Sequence, residues 1–200
     1  MLDETKSDDI NLRIARRVHA LRSSQGLALQ ALAERSGVSR SMISAIERGQ
    51  SSPTAVVLDK LAQGLGTTLA ALFDVSPVSR QAPEPLARLA QQAVWRDPQT
   101  GYVRRQVSPA GFPSPMQIVE VHFPAGQQVR YDNAGVPRQV HQQVWVIEGR
   151  IEVTANGQAH VLKAGDCLAM SLDEPTHFHN RSRHPARYAV VISNPLFKPS

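Results

Sequence analysis

The stretch Gly37–Thr54, "GVSRSMISAIERGQSSPT", decides how the first third of this chain is read. Met42, Ile43 and Ile46 recur at helical spacing and the pattern stops at Gly49, which predicts a short helix. Ser39 stands just before it, where a hydroxyl accepts a hydrogen bond from an early backbone N–H. Gly37 stands where the preceding helix must turn, a position that asks for positive φ. Leu32, Ala33, Val38, Ile43 and Ile46 then hold two helices together, with Ala33 small enough for close approach. Arg40, Ser41, Ser44 and Ala45 are left facing outward on the first half of the second one.

Working outward, Ile10, Ile14, Val18 and Leu21 share one face of a first helix that breaks at "SSQG" (23–26). Leu27, Leu29, Leu32 and Ala33 form a second. After Gly49, "SSPT" (51–54) supplies a Ser/Pro start for a fourth helix carrying Val56, Val57, Leu58, Leu61 and Leu65, and "GTTLAALF" (66–73) closes with a fifth. Residues 1–9 are polar and acidic and are expected to be a flexible arm. The helical domain is therefore placed at 10–75.

The net charge of +5 is uneven: residues 10–75 carry +4, residues 76–115 +3, and residues 116–200 only +1. A basic first half favours a polyanionic partner. A single cysteine, Cys167, excludes an internal disulfide and fits a reducing compartment. No apolar run is long enough to span a bilayer, and no leader pattern follows Met1, so a cytoplasmic protein is expected, without a membrane partner.

"LALQALAERSGVSRSMISAIERG" (27–49) resembles the helix-turn-helix of phage-repressor-like regulators, the xenobiotic-response-element (XRE) family, and the resemblance extends over residues 10–73. It implies that the third helix enters the major groove of double-stranded DNA. Arg40 then forks to a guanine edge, Ser41 and Ser44 bond a base edge or phosphate, and Ala45 touches at most a thymine methyl. The expected DNA-facing set is Gln30, Ser39, Arg40, Ser41, Ser44 and Arg48. The resemblance also implies that Glu47 pairs internally with Arg22. The second helix departs from the family: where it usually opens on a capping Ser or Thr and a phosphate-binding Gln, this chain reads Ala28-Leu29-Gln30.

Residues 76–102 are expected to be a linker, opening on the Pro-rich "VSPVSRQAPEP" (75–85). From Val103 the pattern changes to short strand-like runs, among them "MQIVEVHF", "QVWVIEG", "RIEVTA" and "RYAVVIS", parted by turns such as "ANG" (155–157). Many short strands without intervening helices predict an antiparallel sandwich or jelly-roll barrel over 103–200. "QQVWVIEGRIEVTANGQAHVLKAGDCLAM" (142–170) resembles a cupin, with Gly149 and Gly165 as its turn glycines. The fold expected is thus two-domain, α plus all-β: a five-helix helix-turn-helix bundle, then a cupin β-barrel.

In the enzymes of that family three His and a Glu bind a divalent metal. Counting from Gly149, the Glu position falls on Gln142 and the two His positions on Val136 and Arg138, or on Gly135 and Pro137 with the longer spacing. Counting from Gly165, the third His position falls on Thr176, which leaves His177 and His179 one step out of register. Side chains of a strand alternate faces, so Thr176 and Phe178 are expected inside, His177 and His179 outside. An amide and a hydroxyl in place of a carboxylate and an imidazole hold a divalent metal poorly, so neither metal nor cofactor is expected. Only a bulge would return His141, His177 or His179 to the interior.

A metal-free barrel still offers a small-molecule pocket. Its expected members are Gln142 and Thr176, apolar Val144, Met170 and Phe178, and, near the mouth, Arg130, Tyr131 and Arg138; the two arginines would favour an anionic effector. Trp145 is expected on the outer face or at a subunit contact. The function expected is a DNA-binding transcriptional regulator with a metal-free sensor domain, acting as a homodimer on a palindromic operator. The rival is a metal-dependent cupin enzyme, a dioxygenase or isomerase, fused to a DNA-binding domain.

Overall fold

The computed structural model describes residues 4–73, 84–133 and 140–193, with side chains from Ile10 onward. Five helices lead: α1 (Glu4–Ser24), α2 (Leu29–Ser36), α3 (Arg40–Glu47), α4 (Ala55–Gly64) and α5 (Leu69–Phe73). Helix α1 begins at Glu4, so residues 4–9 are helical where an arm was expected. The apolar period that starts at Ile10 marks where the helix meets the core, and a helix continues past its last buried residue as long as its backbone bonds are made.

Local chemistry places the second and third helices. The N–H of Gly37, at φ 65°, donates to the carbonyl of Ala33 and closes α2. Ser39 Oγ accepts from the N–H of Met42 at 3.2 Å and opens α3, while Thr54 Oγ1 accepts from the N–H of Val57 and opens α4. Ile14, Val18, Leu32, Ile43, Ile46, Leu58 and Leu61 are buried together as the core of the helical domain. By area alone, each such side chain contributes about 1.5–3 kcal/mol.

A 3-10 turn (Leu89–Gln91) precedes ten strands: β1 (Val94–Arg96), β2 (Val103–Gln106), β3 (Met116–Phe123), β4 (Gln128–Tyr131), β5 (His141–Glu148), β6 (Arg150–Ala155), β7 (Gln158–Lys163), β8 (Cys167–Ser171), β9 (Thr176–His179) and β10 (Ala186–Ser193). They form a six-stranded sheet, β1-β2-β3-β10-β5-β8, and a four-stranded sheet, β4-β9-β6-β7, with every pairing antiparallel. The two sheets are open: no hydrogen-bonded ladder joins one to the other among the described residues, so the closed barrel expected from the strand pattern is instead a pair of facing sheets. Sharp turns carry the chain between them. At Gly149 (φ 75°), between β5 and β6, a Cβ would stand 2.6 Å from the carbonyl oxygen of Pro185, so only glycine fits.

Strand β1 lies inside the stretch expected to be linker. Trp95 at its centre is 1% exposed and meets Phe73, the last residue of α5, edge-on at 5.4 Å and Tyr102 at 5.7 Å. Tyr102 stacks on Phe123, and Phe178 stacks on Tyr188, so aromatic rings run from α5 into the space between the sheets. Asp97, 1% exposed, follows β1 and accepts the N–H of Ala55 at 2.8 Å, placing a carboxylate from the β domain on the first turn of α4. Among the described residues no helix is long and apolar enough to cross a membrane.

Candidate nucleic-acid interface and ligand cavity

Helix α3 buries Ile43 and Ile46 and presents Arg40 and Ser41 to solvent, with Ser44 and Ala45 partly exposed. Its angle to the bundle is fixed by Arg22, at the end of α1. The Arg22 guanidinium grips Glu47 through two bonds, Nε to Oε1 at 2.6 Å and Nη2 to Oε2 at 2.8 Å, and donates its Nη1 to the carbonyl of Leu27. The Glu47 carboxylate holds the Arg22 pKa above its ordinary value. Ser39 is engaged as the cap and also touches Ser41. Arg48, exposed at the far end of α3, bonds Ser44 and Gln50, while Gln30 is exposed on α2 and donates to Glu34 at 3.0 Å. Arg40, Ser41 and Ser44 therefore lie along one helix with Arg48 as its C-cap, and Gln30 is turned to its own helix neighbour.

The second site is a cavity of about 660 Å³, its open mouth included, bounded by both domains. The helical domain supplies Asp59 from α4 and Thr68, Leu69 and Ala70 around the start of α5; the sheets supply Tyr131, Gln142, Thr176 and Phe178, with Tyr102, Arg104, Asn133, Tyr188 and Ile192. Four of the expected pocket residues thus line the cavity, Tyr131, Thr176 and Phe178 from the four-stranded sheet and Gln142 from the six-stranded one. Val144 and Met170 are buried in the sheet interior but do not line the cavity. Arg130 is turned the other way: Val129 and Tyr131 face in, so Arg130 is exposed on the outer face, paired in register with His177. Arg138 lies outside the described residues.

The register of the second cupin motif is regular. Thr176 and Phe178 are buried at 3% and 5% exposure, and β9 pairs with β4 and β6 without a bulge. His177 and His179 sit half-buried on the opposite face, and His177 Nε2 lies 2.9 Å from Gln128 Oε1. Desolvation, with Arg130 adding to it, lowers the His177 pKa. His141 is exposed. Asn133 Nδ2 donates to the Thr176 hydroxyl at 3.2 Å, so the side chain at the third His position belongs to an amide–hydroxyl network. Among the described residues no three His, Cys, Asp or Glu side chains converge as metal ligands. Gln142 and Thr176 stand at the Glu and third His positions, and the first two His positions lie outside the described residues.

Arg104 is the residue that sequence reasoning missed. It is 7% exposed, faces into the cavity from β2, and lies over the Phe73 ring with its central carbon 5.0 Å from the centroid. Its Nε and Nη2 have no hydrogen-bond partner among the described residues. Burial pulls its pKa below the ordinary value. Three tyrosines stand near it. Burial pushes Tyr102 up to about 12 and raises Tyr131 and Tyr188 well above the usual range, so all three are neutral phenols. The Tyr102 and Tyr131 hydroxyls are 3.0 Å apart.

Asp59 holds the opposite charge on another wall. It accepts from Gln63 Nε2 at 2.7 Å and from the N–H of Asp132 at 3.3 Å, tying α4 to the end of β4. Burial pushes its carboxyl up from 3.8 to about 6. A carboxyl raised in the folded state binds its proton more tightly there than in the unfolded chain. Its charged form therefore costs stability, progressively as pH rises from about 4 through 6. Asp59→Asn keeps an acceptor and removes the charge. The expected result is a gain on the order of 1–3 kcal/mol at neutral pH and a shallower decline in stability between about pH 4 and pH 7, read by urea unfolding at both. Unchanged pH dependence in the variant would place the raised carboxyl elsewhere.

The comparisons with known proteins agree with this arrangement. The family model described as helix-turn-helix matches residues 18–72, and the cupin domain model matches residues 133–192. The chain therefore carries a helix-turn-helix domain followed by a cupin domain. More particularly, it is 28% identical over 177 residues to the HTH-type transcriptional regulator SutR of Escherichia coli (strain K12), covering 88% of this chain and 91% of that protein. It is likewise 28% identical over 174 residues to the HTH-type transcriptional regulator PuuR of the same organism, covering 87% and 91%. Among solved structures, an HTH_3 family transcriptional regulator from Vibrio cholerae superposes with a TM-score of 0.73 at 25% identity, over 94% of this chain and 99% of that one.

Proposed function

We propose that this chain is a sequence-specific regulator of transcription that binds DNA as a homodimer and whose cupin domain senses a small molecule without a bound metal. The observation that carries the sensing is the shared wall of the cavity: Asp59, Thr68, Leu69 and Ala70 come from the DNA-binding domain. An occupant of the cavity touches α4 and α5 directly, and a ligand that prefers one arrangement of that wall shifts the population of DNA-competent molecules. The metal-free reading is supported by Gln142 and Thr176, an amide and a hydroxyl where a divalent metal needs a carboxylate and an imidazole.

Dimerisation is supported by two considerations. One such helix-turn-helix covers a few base pairs, so a two-fold operator needs a pair of readers a helical turn apart. The outer face of the six-stranded sheet also exposes Ile118 and Trp145, the latter at 51%, with Ala189 between Glu120 and Trp145 in the ladder. DNA binding is tested at Arg40. Arg40→Ala is expected to lower affinity for the operator by about 1–3 kcal/mol and to leave binding to random DNA nearly unchanged, because a base-edge contact is lost while phosphate contacts remain. Fluorescence anisotropy on both DNAs at one salt concentration reads the difference. Equal losses on the two would make Arg40 a phosphate contact, and no loss on either would remove α3 from the interface.

A further inference from the structure

We propose that the cavity is a binding site for a small organic carboxylate, whose carboxylate group is gripped by the Arg104 guanidinium between the Phe73 ring and the phenols of Tyr102 and Tyr131. This rests on the reading of the cavity as an effector site and names the chemistry it selects. A guanidinium is a permanent cation with five N–H donors in a planar fork. In folded proteins a buried one is paired, because an isolated charge in an apolar interior is costly. Arg104 departs from that rule: it enters no salt bridge among the described residues, and two of its donor nitrogens are unsatisfied. Its neighbour Arg105, on the opposite face of β2, shows the ordinary solution by pairing with Glu120.

Among the described residues no carboxylate pairs with Arg104, and Asp59, on another wall of the cavity, is held by Gln63 and the N–H of Asp132. Phe73 offers a ring face and the tyrosines are neutral, so they can share hydrogen bonds with an anion but cannot supply its charge. A carboxylate matches the fork with two parallel N–H···O bonds, and a phenol hydroxyl can donate to its remaining lone pairs. Phe178, Tyr188, Val190 and Ile192 line the rest of the space, which suits an aliphatic or aromatic body behind the charged group. Because Phe73 ends α5, drawing the guanidinium toward a carboxylate acts on a contact between the two domains.

The test is calorimetry on the full-length protein without DNA, using benzoate, hexanoate and adipate, each beside its primary amide, and inorganic phosphate. At least one carboxylate is expected to bind at least tenfold more tightly than its amide and more tightly than phosphate. Arg104→Met is expected to fold, with a melting temperature no lower than the parent's, since it removes an unpaired buried cation, and to lose that carboxylate's binding at least tenfold. Arg104→Lys, which keeps the charge without the fork, is expected to bind between the two. Amides binding as well as carboxylates, no carboxylate binding at 10 mM, or full binding by a folded Arg104→Met protein would each overturn the proposal. Titrating operator DNA with and without the bound carboxylate separates the two readings: carboxylate binding that leaves DNA affinity unchanged preserves this site and rejects sensing.

Discussion

Trp95→Ala is expected to lower unfolding stability by about 3–5 kcal/mol, the cost of removing a large, fully buried aromatic side chain. The ring is 1% exposed and touches Phe73 on one side and Tyr102 on the other. Truncation leaves a void on which the rings of both domains would have to collapse, and each belongs to a different element, α5 or the strand edge. The loss should therefore appear in both parts of the molecule. Far-ultraviolet circular dichroism in urea reads the overall change, and hydrogen exchange of amides in α5 and β2 reads its distribution. A loss under about 1 kcal/mol, or one confined to the strands, would mean that Trp95 does not join the domains energetically.

The second large effect is expected at Glu47. Glu47→Ala removes the partner of an arginine whose side chain is 14% exposed and whose guanidinium is held by the two short bonds described above. Breaking a buried pair from one side costs about 3–5 kcal/mol, and for this part-buried pair the expected loss is about 2–3 kcal/mol, because the remaining charge keeps some access to water. Arg22 keeps only its bond to the Leu27 carbonyl. Removing both residues should be less damaging than the summed single losses, the signature of coupling. Since Glu47 ends α3, operator affinity should fall with stability even though Glu47 faces the interior. Additive single and double effects would show that Arg22 and Glu47 act independently.

The helical domain was legible because its determinants are local. Gly37, Ser39 and Thr54 declare helix ends within a few residues, and the apolar spacing from Ile10 onward declares the faces that meet. The register of β9 was legible for a similar reason: fixed distances from Gly149 and Gly165 leave Thr176 and Phe178 on one face and the histidines on the other. The cavity was only half legible. In "YVRRQV" (102–107) one face reads Tyr-Arg-Gln and the other Val-Arg-Val, and hydropathy alone would bury the valines. The structure buries Tyr102, Arg104 and Gln106, because Tyr102 is needed in the aromatic row and Arg105 has Glu120 waiting on the outer face.

Arg130 was assigned by its nearness to the motif, but strand alternation with Val129 and Tyr131 turns it out. Strand β1 was hidden because three residues between polar stretches carry too short a period to read, although a lone Trp in a basic segment was a usable signal of burial. The contribution of α4 to the cavity was not readable at all. It depends on pairs far apart in sequence, Ala55 with Asp97 and Asp59 with Asp132, that only the folded chain brings together.

Selection of genomic DNA fragments by the full-length chain, followed by footprinting of the enriched fragments, tests DNA reading by α3 most directly. The expected result is protection of two symmetry-related half-sites with centres about 10 base pairs apart, or a multiple of one helical turn, with enrichment lost for Arg40→Ala. Enrichment no greater than for bulk DNA, or a footprint that Arg40→Ala leaves intact, would contradict it.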